Sequence, residues 1–299
     1  MAPILTGGRS RAHANGQARI EMEAPAKLNL VLRIIGQRSD GYHEIESLFV
    51  PVALYDSLKI TRTKRGIVLF CKGRKLPEDH NNLVYRAAHC FFLQTGIRSG
   101  AEITLTKRIP ISAGLGGGSS DAAATLMGLN VLWDNPLSEG DLKGVALSLG
   151  ADVPFFLLQK PAVARGIGEI LEPIDGFPEW WYAIVSPELR VSTEWAYKMV
   201  RLRLTGRRNG NMIEMLDSAT PSIPDLLFND LESVTLSKYP FLSSIKAALK
   251  ALGALGALMT GSGPSIFGVF DSENKAHEAG KALLSQWREH DVFVVKGLS

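Results

Sequence analysis

Apolar and polar residues alternate through much of the first seventy positions. Residues 27–35 (KLNLVLRII), 43–50 (HEIESLFV) and 57–63 follow the two-residue period of a half-buried strand. Asp40-Gly41, between the first two runs, is a turn signal. The segment therefore predicts an antiparallel sheet with at least one hairpin. At Asn82 the period changes: NLVYRAAHCFFLQT, residues 82–95, spaces its apolar positions along one helix face, and Gly96 ends it. A strand at 102–106 follows. From Ser138 the stretch SEGDLKGVALSLG predicts a second helix, with Asp141 in a capping-box position and Gly150 at its end. Residues 152–158 (DVPFFLL) and 162–165 read as strands, 181–185 as a buried strand, and 193–204 and 241–252 as helices. The last part of the chain adds strands at 257–259, 265–270 and 292–295 and a helix at 273–289. Joined to the 181–185 strand, this comes close to a β-α-β-β-α-β ferredoxin-like order. Residues 209–222, with Asn, Gly, Ser and Pro at their ends, take no element.

Between the 102–106 strand and the Ser138 helix runs PISAGLGGGSSDAAATLMGLN, residues 110–130. Gly114, Gly116, Gly117 and Gly118 let the backbone bend and lie flush against a ligand, while Ser119 and Ser120 before an alanine-rich run mark a helix start. A flexible loop feeding a helix N-terminus offers unpaired N–H groups and the positive end of the dipole, a natural seat for a phosphate chain. It is not a Walker A loop, because no lysine follows the glycines. A Rossmann turn opens directly off its strand, whereas here Lys107, Arg108 and Pro110 intervene.

Composition narrows the partners. A chain of 299 residues with 45% hydrophobic content can bury two cores, and the pattern suggests a flexible tail at 1–18 and domains at 19–165 and 166–299. A net charge of only +3 argues for no nucleic-acid surface, and no apolar run approaches the roughly 18 residues of a membrane span. Cys71 and Cys90 stand apart without metal spacing, which suits a reducing compartment and no zinc site. The first twenty residues hold Arg9, Arg11 and Arg19, no acid, and no apolar stretch of a secretory signal. A cytoplasmic location is the expectation, with a plastid transit peptide as the lesser alternative. Monomer and homodimer remain equally open.

Four motifs in order carry a resemblance: PAKLNL (25–30), PISAGLGGGSSDAAA (110–124), GADVPFF (150–156) and TGSGPS (260–265) are together similar to the GHMP small-molecule kinases. The likeness runs over about residues 23–270. It implies an α+β, two-domain GHMP kinase fold: an N-terminal mixed α/β nucleotide-binding domain, a C-terminal ferredoxin-like domain, and an active site in the cleft between them. It further implies phosphoryl transfer from ATP, with Mg2+, to an alcohol of a small molecule, a reaction in which the protein mainly positions groups and neutralises charge. Asp152 would be the general base and Lys27 its partner, steadying the nascent alkoxide. ATP would be held by Pro110, Ile111, Ser112, Ala113, Gly114, Leu115, Gly116, Gly117, Gly118, Ser119 and Ser120, with Lys107 reaching nucleotide phosphate or base or standing as an exposed strand-end lysine.

The turn DGYHEI (40–45) resembles that of family members whose substrate carries cytidine, Tyr42 to stack on the base and His43 to hydrogen-bond its edge. Asn29, Thr193 and Gly263 would add substrate contacts, with Ser192, Trp195 and Tyr197 nearby. The implied reaction is phosphorylation of the 2-hydroxyl of CDP-methylerythritol, in the non-mevalonate route to isoprenoid precursors. Another GHMP kinase, acting on homoserine, mevalonate or a sugar, and a non-catalytic ligand sensor of the same fold are the alternatives. The DGYHEI turn speaks against the first. Retention of both Lys27 and Asp152 speaks against the second.

Overall fold

A computed structural model describes residues 11–12, 18–200 and 222–299. Two compact units emerge: residues 1–26, 54–109 and 117–159 make one, and residues 27–53, 110–116 and 160–299 make the other. After the two-residue β1 (Arg11–Ala12), which pairs with the start of β2, the alternating segments form two long strands, β2 (Ala18–Gln37) and β3 (His43–Thr63). The rest of the expected N-terminal tail lies outside the described residues. The runs at 43–50 and 57–63 are thus one strand, not two. Pro51 looks like a break in sequence, but its fixed φ suits extended backbone, and residues 47–52 are buried without interruption around it. The Asp40-Gly41 turn forms as expected, with Gly41 N–H on the Arg38 carbonyl (3.0 Å) and Arg38 N–H on that of Tyr42 (2.8 Å).

In the first unit, residues 57–63 of β3 pair antiparallel with β5 (Gly100–Thr106), and β5 pairs in parallel with β4 (Gly66–Lys72). Four helices join them: α1 (Leu83–Thr95), α2 (Gly117–Leu132), α3 (Glu139–Leu149) and α4 (Val153–Leu158). Asn82 caps α1 through Val84 N–H, and Gly96 closes it in the left-handed region. The capping box of Ser138 and Asp141 is formed. Two expectations change. Helix α2 begins at Gly117, so Ser119 and Ser120 lie inside its first turn instead of ahead of it. Residues 153–158 are a helix, not a strand. Val153, Pro154, Phe155 and Phe156 are all buried, and a short helix covered on all sides shows no amphipathic period by which to know it.

In the second unit, residues 47–49 of β3 pair with β6 (Ala162–Arg165), which pairs with β7 (Ile170–Pro173), and β9 (Phe228–Asn229) runs parallel to β2 at Val31 and Leu32. A separate antiparallel sheet has the order β10-β11-β8-β12, from β8 (Trp181–Ser186), β10 (Gly256–Met259), β11 (Ile266–Phe270) and β12 (Asp291–Lys296). Helices at Phe241–Ala251 and Glu273–Gln286 bury Leu242, Ile245, Leu249, Ala276, Ala279 and Leu283 in one core with Ala183, Val185, Ile266 and Phe270. This is the ferredoxin-like order the sequence predicts. The helix expected at 193–204 ends at Met199, with Val200 as its C-cap; residues 201–204, and most of the unassigned 209–222 stretch, lie outside the described residues.

Candidate active site

The glycine loop has alternating backbone handedness: Ser112, Gly114 and Gly116 sit at φ of 55°, 77° and 70°. Such alternation turns successive N–H groups to one side and makes an anion-binding concavity. Three consecutive carbonyls are tied inward. Ala113 O accepts from Ser265 N–H at 3.4 Å, Gly114 O from the Thr260 hydroxyl at 3.2 Å, and Leu115 O from Lys27 N–H at 2.9 Å. Among the described residues, no backbone N–H from 111 to 116 makes a hydrogen bond of good geometry to a protein acceptor, although 111–112 form a turn. With Gly117 and Gly118 starting α2, the free donors run on into the helix N-terminus. Ala113 and Leu115 anchor the loop in the core, while Ser112 and Gly118 are exposed.

Under the first turn of α2 lies a buried ionic triad. The Lys107 ammonium contacts Asp56 Oδ2 and, at 2.7 Å, Asp121 Oδ2, and all three side chains are almost fully buried. Asp56 Oδ1 also accepts the N–H groups of Arg108 (2.5 Å) and Ile109 (2.9 Å), which fixes the approach to the loop. A Cβ on Gly117 would stand 2.7 Å from the Lys107 ammonium, so the glycine leaves room for the lysine. Lys107 is therefore not an exposed strand-end residue; its charge is balanced inside the protein.

One lysine between two carboxylates neutralises only one of them. Asp56 has both oxygens engaged, whereas Asp121 Oδ1 has no partner among the described residues. Burial pushes the Asp121 carboxyl up to about 7 from 3.8, against the pull of Lys107 and with the neighbouring Asp56 adding to the rise. The folded protein then holds a proton the unfolded chain has lost. That contribution to stability is complete below pH 3.8 and disappears as pH rises through about 7. Asp121→Asn should flatten this dependence, so that its melting temperature falls less than the parent's between about pH 5 and pH 8 in scanning calorimetry. Parallel curves would show that Asp121 is ionised throughout.

On β2, Lys27 and Asn29 share a face, as their spacing requires. Lys27 Nζ donates to Asn29 Oδ1 at 2.5 Å and stands 4.6 Å from the centroid of the Phe49 ring. Neither is a solvated edge residue: Lys27 is 5% exposed and Asn29 1%. The Asn29 amide also donates to Ser47 Oγ at 2.9 Å, so both ends of its side chain already have protein partners. Asp152 occupies the N-cap position of α4 but makes no side-chain capping bond.

The remaining expected contacts fall on two short segments. Tyr42 is 60% exposed beyond the hairpin turn. His43 lies against Tyr197, ring centroids 5.2 Å apart and tilted by 31°. Thr193 and Ser262 share a hydroxyl–hydroxyl bond of 3.0 Å, which brings the start of the 193–199 helix to the TGSGPS turn. Within that turn Gly263 donates its N–H to Thr260 O at 3.0 Å. Trp195 stacks under the Lys238 ammonium at 3.9 Å. Sequence reasoning left out Asp56, Ser47 and Thr260. Asp56, a single acid in the apolar run VALYDSL, was the available signal for the triad; the two hydroxyls carry none.

Family models agree with this architecture. That of the GHMP kinases N terminal domain matches residues 82–160, and that of the GHMP kinases C terminal matches residues 209–289. The chain belongs to the GHMP kinases. Its relatives include the 4-diphosphocytidyl-2-C-methyl-D-erythritol kinases of Syntrophotalea carbinolica, 45% identical over 89% of this chain and 95% of that one, and of Geobacter metallireducens, 43% identical over 92% and 97%. Among solved structures it is similar to a 4-(cytidine 5'-diphospho)-2C-methyl-D-erythritol kinase, with TM-score 0.81 and 37% identity over 93% of this chain and all of that one.

Proposed function

We propose that the protein transfers the γ-phosphoryl group of ATP to the 2-hydroxyl of 4-diphosphocytidyl-2-C-methyl-D-erythritol, a step of the non-mevalonate route to isoprenoid precursors. The observation that carries the phosphate part is the loop in which three consecutive carbonyls, Ala113 to Leu115, are bound inward while N–H groups are left for an anion. The relatives at 43–45% identity carry the choice of alcohol. Pro110, Ile111, Ser112, Ala113, Gly114, Leu115, Gly116, Gly117, Gly118, Ser119 and Ser120 cradle the triphosphate through backbone amides and the dipole of α2. Among the described residues no group of three or more His, Cys, Asp or Glu suits a metal. Magnesium, when bound with the nucleotide, would supply positive charge against the phosphates.

Asp152 takes the proton of the 2-hydroxyl. Lys27, aimed by Asn29, steadies the alkoxide as it forms. Asn29, Thr193 and Gly263 frame the substrate, and Lys107 supports the first turn of α2 through Asp121. Tyr42 stacks on cytosine, with His43 bonding to the base edge and Tyr197 backing His43. Among the described residues no helix is long and apolar enough to cross a membrane, and Cys71 and Cys90 are free thiols.

An ADP-release assay with CDP-methylerythritol, homoserine and mevalonate tests the substrate. Turnover is expected with the first alone, with phosphorus NMR placing the new phosphate on O2. Better kcat/KM with either other alcohol would overturn the choice. Removing one stacking ring, Tyr42→Ala, should raise KM for the CDP substrate about tenfold, with kcat nearly kept, since stacking of one base is worth about 1–3 kcal/mol.

A further inference from the structure

The turn after β10 carries a hydroxyl that none of these roles uses. Thr260 is fully buried. Its backbone is held on both sides, N–H to Ser265 O at 3.0 Å and carbonyl from Gly263 N–H at 3.0 Å. A β-branched side chain in a fixed backbone has few rotamers, so the hydroxyl is aimed. Oγ1 accepts Asn29 N–H at 3.0 Å, and stands 3.3 Å from Asn29 Oδ1 and 3.2 Å from Gly114 O. A hydroxyl has one proton to give, so these two oxygens compete for it. Lys27 decides the competition. Its ammonium already donates to Asn29 Oδ1 at 2.5 Å, so that oxygen is satisfied without Thr260, whereas Gly114 O has no other donor among the described residues. The Thr260 proton then goes to Gly114 O, one of the three bonds that turn the loop's carbonyls inward.

The far end of the Asn29 amide is secured as well. Its Nδ2 donates to Ser47 Oγ, and the Ser47 hydroxyl donates to Val31 O. The two glycine turns also touch backbone to backbone, since a Cβ on Gly261 would meet Gly114 Cα at 3.3 Å. We propose that Thr260 is a positioning residue that couples the phosphate-binding loop to Lys27 through Asn29, so that the anion seat and the ammonium are held in one register. The part concerning Lys27 rests on the reaction proposed above; the part concerning the loop does not.

Thr260→Val keeps the shape and removes the hydroxyl; Thr260→Ser keeps the hydroxyl. The valine variant is expected to weaken ADP binding, read by calorimetric titration, about tenfold and to lower kcat by a similar factor, while the serine variant stays within about threefold of the parent. Valine and serine variants equally impaired would assign the effect to the methyl group and overturn the proposal. So would a valine variant with unchanged ADP affinity and kcat, whatever its melting temperature. Should the valine variant not fold, Ser47→Ala decides: a severalfold fall in both kcat and ADP affinity supports the coupling, and an unchanged ADP affinity refutes it. A parent enzyme that phosphorylates none of the three alcohols would sink the proposed reaction, yet the ADP titrations would still judge the link between Thr260 and the loop.

Discussion

Asp152→Asn is expected to lower kcat by about 10²–10⁴-fold while leaving KM for both substrates near the parent value, the loss typical of removing a general base. The separation of kcat from stability follows from the structure. Asp152 sits at the N-cap position of α4 without bonding to that helix's first N–H groups, so the amide replaces no cap. Its helix is secured independently by the buried Val153, Phe155 and Phe156. Lys27→Met is the companion change. It keeps a long apolar stem and deletes the charge that stands over the Phe49 ring, and it should reduce kcat to a comparable degree. Single-turnover measurements of ADP formation read both. Variants that turn over as fast as the parent would remove Asp152 and Lys27 from the mechanism, and a loss confined to KM would make them binding residues only.

Gly114→Ala carries the second large effect, this time on the nucleotide. At φ of 77° any L-residue is strained by about 1–2 kcal/mol. Strain is the smaller part: the new Cβ would lie 2.2 Å from the Thr260 carbonyl oxygen and 3.1 Å from its carbon, both backbone atoms that cannot rotate away. Either the loop or the end of β10 must shift, and the inward carbonyl bonds from Ala113 to Leu115 go with it. KM for ATP should rise at least about tenfold, with a melting temperature lower by about 2–4 °C for each kcal/mol lost. Gly96→Ala separates the two causes. It has φ of 66° but nothing within 4 Å of its Cβ, so it pays the strain at the end of α1 and should leave the nucleotide KM alone. Equal KM values for the two variants would show that the loop does not need its present path.

Whatever depends on a few neighbouring residues was legible before any coordinates. The Ser138 capping box, the Asn82 and Gly96 ends of α1 and the Asp40-Gly41 turn are chemistry within four or five positions, and they form as read; the glycine loop was legible as well, though its helix starts two residues earlier than the serines suggest. The ferredoxin-like order was legible too, because alternating strands and amphipathic helices come in sequence there. Residues 152–158 were misread for want of such a period. A segment buried on every side has no polar face, and length and Pro154 were too little to choose helix over strand.

The site divides along the same line. The sequence alone determined which residue types stand in the loop and on β2, and thereby the class of ligand and the family. Tertiary structure decided their states. Lys107 meets Asp56, fifty-one positions away, and its charge is balanced inside the protein; Asn29 meets Thr260, two hundred and thirty-one positions away, and its amide is fixed. The physical reason is that local propensity is summed over neighbours in the chain, whereas burial and hydrogen-bond satisfaction are set by whichever distant groups the fold brings within about 3 Å.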